Sequence, residues 1–174
     1  MKIYSHADVP NILGGLTLPQ YLARERNELS TIPCTLPTDT GSKTQMASYL
    51  GELYLASESS SALIAITGWS AWPSQTNFDL FDRYRESFGE RRRLIESPIH
   101  HFLAHDKAAF ASVLGMCLYF LWDAEVIDFS TGSGLTIGHH GSLDVHVRDA
   151  DTSSRVISAL VDFGCDVVPA PQSA

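Results

Sequence analysis

The sequence predicts an α+β fold: an antiparallel sheet built from a C-terminal meander, packed with about five helices in a single domain. Three observations lead there. Strand-like segments separated by glycine turns crowd the last third of the chain, and apolar residues recur at helical spacing through the middle. The composition, 44% hydrophobic and 18% charged, is that of an ordinary globular protein. At 174 residues, such a chain buries a sizeable core without needing a metal or disulfide.

The first forty or so residues, punctuated by Gly14-Gly15, Pro33 and Pro37, read as an irregular N-terminal arm over 1–42. Within it a short helix starts near Thr17, with Pro19 in its first turn and Leu18, Tyr21, Leu22 and Leu29 on one side. Met46, Tyr49, Leu50 and Leu53 place a second helix from about Thr44 to Ala56, followed by a serine-rich loop. The apolar run Ala62 to Thr67, ended by Gly68, suits a central strand. Pro73 and Ser74 introduce a third helix whose Phe78, Phe81, Tyr84 and Phe88 share a face, and Gly89 closes it. Asp106 is placed to cap an apolar helix ending near Leu121. Glu125 to Ser130, Leu135 to His139 and Leu143 to Arg148 form the meander. Thr152 or Asp151 then caps a last helix carrying Val156, Leu160 and Val161, and Val167-Val168 adds an edge strand before a flexible tail over 169–174.

Net charge is −8, a field that repels phosphate backbones and argues against nucleic-acid partners. It also suits capture of a cationic protein. The longest apolar stretch, Ala108 to Trp122, is too short to span a bilayer, and no signal peptide is evident, so a cytoplasmic protein without a membrane partner is expected. Cys34, Cys117 and Cys165 are odd in number and show no CxxC spacing, so neither a disulfide framework nor a zinc ribbon is indicated. Cys34 sits in a proline-rich loop, where a reactive thiol is conceivable.

Six of the seven histidines fall in two groups: His100, His101 and His105, then His139, His140 and His146. His101 and His105 are one helical turn apart, a spacing zinc sites use, and one of His139, His140 or His146 would complete the set from a hairpin. The segment lacks the central glutamate of a zinc-protease helix, reading His101-Phe102-Leu103-Ala104-His105. Zinc held by His101, His105 and His140 in a metal-dependent hydrolase is therefore the alternative reading. Neither a nucleophile elbow nor a phosphate-binding glycine loop occurs. Trp72, ahead of Pro73, with Asp79, Asp82 and Glu86 at spacings of three and four, makes an aromatic anchor beside an acidic stripe. The leading expectation is thus a non-enzymatic binding protein of the immunity or stress-response kind, needing no cofactor.

The stretches Ile64 to Trp69, Trp72-Pro73-Ser74, Leu80 to Ser87, Gly89-Glu90, Leu94-Ile95-Glu96 and Phe120 to Ala124 resemble a family of small bacterial proteins with no activity attached to it. The likeness runs over 63–147, about half of the chain. It implies a soluble bacterial protein. The family's hairpin often reads Ser-His-Asp-Glu, whereas this chain has Gly138-His139-His140-Gly141, which removes two carboxylates and weakens a catalytic reading there.

Overall fold

The computed structural model describes residues 1–68 and 75–168. Among these residues eight strands and six α-helices follow one another as β1 (Lys2–Tyr4), α1 (Val9–Ile12), α2 (Leu18–Arg26), β2 (Ser30–Thr35), α3 (Thr40–Tyr54), β3 (Ser61–Gly68), α4 (Gln75–Glu86), β4 (Ile99–Leu103), α5 (Lys107–Phe120), β5 (Asp123–Asp128), β6 (Gly134–Ile137), β7 (Ser142–Val147), α6 (Ala150–Asp162) and β8 (Asp166–Val167). All strands join one sheet in the order β1-β4-β3-β5-β6-β7-β2-β8, with every neighbouring pair antiparallel. The α+β expectation holds, and the predicted meander is β5-β6-β7.

Two units of the same design make up the sheet. β4 and β5 flank β3, run parallel to each other and are joined by α5. β7 and β8 flank β2 in the same way, joined by α6. α3 carries the chain from β2 to β3. Alternation along the strands sends Ala62, Ile64, Ile66, Phe102, Ala124, Val126, Leu135, Leu143, Val145, Ile32 and Cys34 to one face. There they meet Met46 and Leu50 of α3, Phe110, Leu114, Cys117 and Leu118 of α5, and Val156 and Leu160 of α6. The opposite face is covered only in part: Leu63, Ala65, Ile99 and Ile127 pack under Val9, Leu13, Leu18 and Tyr21 from α1, α2 and the turn between them. Helices therefore lie on both sides of the sheet.

The irregular arm expected over 1–42 is a correction. These residues hold an edge strand, two helices and β2, which sits inside the sheet between β7 and β8. Pro33 does not end β2, because its carbonyl still accepts from the Val168 N–H at 2.9 Å. α2 starts where the sequence places it, with Thr17 and Gln20 forming a capping box. α3 begins before Thr44, because the Asp39 carboxylate accepts from the Ser42 N–H at 2.7 Å. The cap of α6 is Asp149, not Thr152 or Asp151, through the Thr152 N–H at 2.7 Å. Asp106 precedes α5, but its carboxylate takes the Leu103 N–H and so caps the short turn at Ala104–Asp106. α5 ends on Leu121 in the left-handed region, φ 53°, a conformation costing about 1–2 kcal/mol in a non-glycine residue. The tail over 169–174 lies outside the described residues. Among those described, no helix is long and apolar enough to cross a membrane.

Leu118 is fully buried on the inward face of α5, in its last turn. Truncation to alanine should cost about 2–5 kcal/mol, read as a lower denaturation midpoint with an unchanged slope.

Candidate functional site

The structure separates the histidines that the sequence brings together. His101 is in β4, not on a helix: its ring is half-buried on the α1/α2 side between Tyr4 and Phe129, with ring centroids 6.4 and 5.9 Å away. His105 lies beyond the end of β4, its side chain 77% exposed. His140 occupies the β6–β7 turn, its ring 3.9 Å from that of His139. β4 stands three strands from β6, a separation of about 14 Å at ordinary strand spacing. The register also sets His105 near the Ser61 end of β3 and His140 near its Gly68 end, so the two lie at opposite ends of the sheet. A helical reading of 101–105 fails because Ile99–Leu103 alternates between the two sheet faces. Among the described residues no three His, Cys, Asp or Glu side chains form a group able to hold a metal ion.

Trp72 lies outside the described residues. Asp79 and Glu86 are exposed on α4, and the Asp82 carboxylate, 41% exposed, accepts from Arg85 at 3.4 Å. Beneath them Arg85 is fully buried. It donates to the carbonyls of Ser97 at 2.7 Å and Arg92 at 3.1 Å, and to the Ser97 hydroxyl. Phe81 packs beside it against Trp122. α4 is thus pinned by its inward face, and the segment after Gly89 is tied to it.

A polar network that the sequence reading missed lies on the sheet face that α1 and α2 leave open. Glu125 of β5 sits directly across from Thr136 of β6, and Thr31 of β2 across from His146 of β7. The Thr136 hydroxyl donates to Glu125 at 3.0 Å and lies 3.0 Å from His146 Nε2. The Thr31 hydroxyl lies 3.1 Å from His146 Nδ1, and Arg26 at the end of α2 pairs with Glu125. One proton assignment satisfies every contact: Thr136 gives its proton to the carboxylate and accepts from Nε2–H, while Thr31 donates to Nδ1. Gly134, opposite His146, must be glycine, since a Cβ there would run into the Val126 carbonyl. Period-two alternation of Asp123, Glu125, Thr136, Asp144 and His146 was the available signal.

Chemically the network is closed. A hydrolytic triad needs a carboxylate on the histidine and a hydroxyl free to attack. Here the carboxylate holds the hydroxyl, and a second hydroxyl holds the other ring nitrogen. Burial pushes the His146 pKa down to about 4, aided by Arg26, so the ring is neutral. Burial also raises the Glu125 pKa, outweighing the opposing pull of Arg26. The neighbouring cavity under α2, of about 10 Å³, has room for one water. Arg148, beside an open groove at the strand ends by the β5–β6 turn, is committed to Glu28 at 3.1 Å and the Thr131 carbonyl at 3.1 Å.

The other expected groups are equally occupied. His139 Nδ1 contacts Asp123 at 2.9 Å, and the same carboxylate accepts the His139 N–H at 2.7 Å. Cys34 is buried in β2 rather than held in a loop. No family model, no curated protein and no solved structure matches this chain.

Two outcomes test this account. Thr136→Val leaves the Glu125 carboxylate and His146 Nε2 short of a partner and should cost about 1–3 kcal/mol by chemical denaturation. His100 in β4 is fully buried with no partner for either ring nitrogen among the described residues. Burial, then Arg85, lowers its pKa to about 3. Both His100 and His146 titrate below the unfolded value near 6.5, so the unfolded chain binds protons first. Stability should be level above that pH and fall as pH drops toward 4 and then 3. His100→Leu should flatten this acid limb without loss at pH 7, measured by thermal melts across the range.

Proposed function

We propose that this chain is a non-enzymatic binding protein that captures a basic protein partner on the outward face of α4, in the manner of immunity or stress-response inhibitors. The observation that carries the reading is Leu80: an apolar side chain 68% exposed on a helix whose inward side buries Phe81 and Arg85, with exposed Arg83 beside it and the exposed carboxylates Asp79 and Glu86 beyond. Apolar anchors with charged rims are the usual economy of protein recognition, the anchor holding the complex and the rim speeding encounter. A helix already fixed by its inward face loses little freedom on binding. Trp72, the aromatic anchor expected from the sequence, lies outside the described residues and adds nothing to this observation. The net charge of −8 suits a cationic partner.

A photo-crosslinking residue at position 80, with the same residue at exposed Tyr119 on α5 as the control, tests the reading in cells of the source organism. The expected result is one basic protein trapped from position 80 alone. Its association with the purified chain should slow as salt rises, and slow about tenfold further in Asp79→Lys/Glu86→Lys. Equal trapping at both positions, or binding indifferent to salt and to both substitutions, removes the proposal.

A further inference from the structure

Two of the three cysteines, far apart in sequence, meet at the free edge of the sheet. Cys34 lies in β2 opposite Val167 of β8, and Cys165 immediately precedes β8, so the β2–β8 register sets Cys165 on the diagonal from Cys34. Both side chains turn into the same core cluster and both are buried. Cys34 Sγ donates to the Leu143 carbonyl at 3.2 Å, and Cys165 Sγ stands 3.6 Å from Met46 Sδ. Each thiol shifts the other's ionisation, Cys165 holding Cys34 up and Cys34 drawing Cys165 down. Cys117 sits in the middle of α5, where burial pushes its thiol up to about 12. All three are free thiols in the structure.

We infer that Cys34 and Cys165 form a redox pair whose oxidation by a low-molecular-weight disulfide closes a covalent staple between β2 and β8. The route is ordinary thiol–disulfide exchange. The Cys165 thiolate attacks one sulfur of the reagent, that S–S bond breaks, and the first small thiol leaves with the electron pair and takes up a proton. Cys34 then gives up its proton and attacks the mixed disulfide at Cys165 Sγ, releasing the second small thiol. Two protein thiols are oxidised and one reagent disulfide is reduced to two thiols. The order follows the local electrostatics: Cys34 favours the Cys165 thiolate, whereas Cys165 and burial hold the Cys34 thiol well above its ordinary value. Access for the reagent comes from β8, a two-residue edge strand paired on one side only, which opens at far less cost than the rest of the sheet.

The test uses the intact chain, folded, with oxidised glutathione, followed by acid quench, alkylation and peptide mapping. The expected product has lost the mass of two hydrogens, keeps one alkylatable thiol at Cys117, and yields a linked peptide pair holding Cys34 and Cys165. It should melt at a higher temperature than the reduced chain, and dithiothreitol should restore all three thiols. Cys117→Ser should close the staple at the wild-type rate, while Cys34→Ala should stop at the glutathione adduct on Cys165. Three intact thiols after prolonged exposure, a bridge involving Cys117, or a bridge between two copies of the chain would each overturn the inference. Since the wild-type map is itself decisive, a variant that fails to fold does not blunt the test.

Discussion

Strand β3 is buried on both faces, and the rest of the architecture follows from that demand. Residues 62–66 are almost wholly shielded from water, with Ala62, Ile64 and Ile66 facing one core and Leu63 and Ala65 the other. A strand that is apolar on both sides needs two covers. α3 and α5 provide the first, and α1 with α2 the second. Strands farther along the sheet are apolar on one side only, so the second cover stops at β5, and the polar faces of β6, β7 and β2 are left uncapped.

That boundary explains the polar network. Where α2 ends, the sheet passes from a dry face to a wet one, and Arg26, Glu125, Thr136, His146 and Thr31 span the change. His146 is buried and Glu125 and Thr136 are partly so, so each of these must find a partner, and the antiparallel register supplies it, with exposed Thr31 closing the far end. The network resembles a catalytic arrangement in its ingredients but not in its wiring. Its effect is to fix the register of four strands on a face where hydrophobic packing does not.

Elements whose pattern is local were legible in the sequence. The amphipathic helices, the apolar run of β3, and the meander with its glycine turns all declare themselves within a dozen residues. β1, β2 and β4 do not. β4 carries two adjacent histidines close to Pro98, and the four-residue spacing of His101 and His105 mimics a helical turn; β2 is masked by Pro33, which looks like a breaker although its carbonyl accepts from Val168. Capping residues were found to within a few positions, because Asp39 and Asp149 compete with nearby Thr, Ser and Asp neighbours of similar capping ability. The site was less legible still. His101, His105 and His140 are grouped along the chain but dispersed across the sheet, while Glu125 and His146 are separated along the chain and joined only through the register. That Asp79, Asp82 and Glu86 share one helix was legible because helical spacing can be read from the sequence alone.

The seat of β2 bears on how the chain acquires its structure. Ser30 pairs with Val147, and Cys34 with both Leu143 and Val167, so a strand made early finds both its neighbours more than a hundred residues later. The unit formed by β3, β4, α5 and β5 needs no such wait, since its strands adjoin in both sequence and space. Vectorial synthesis should therefore yield one half of the sheet first, with β2 left as an unpaired, partly apolar segment until α6 and β8 have emerged. During that interval the open sides of β2 are where a holding chaperone, or a neighbouring nascent copy, would find an edge to pair with.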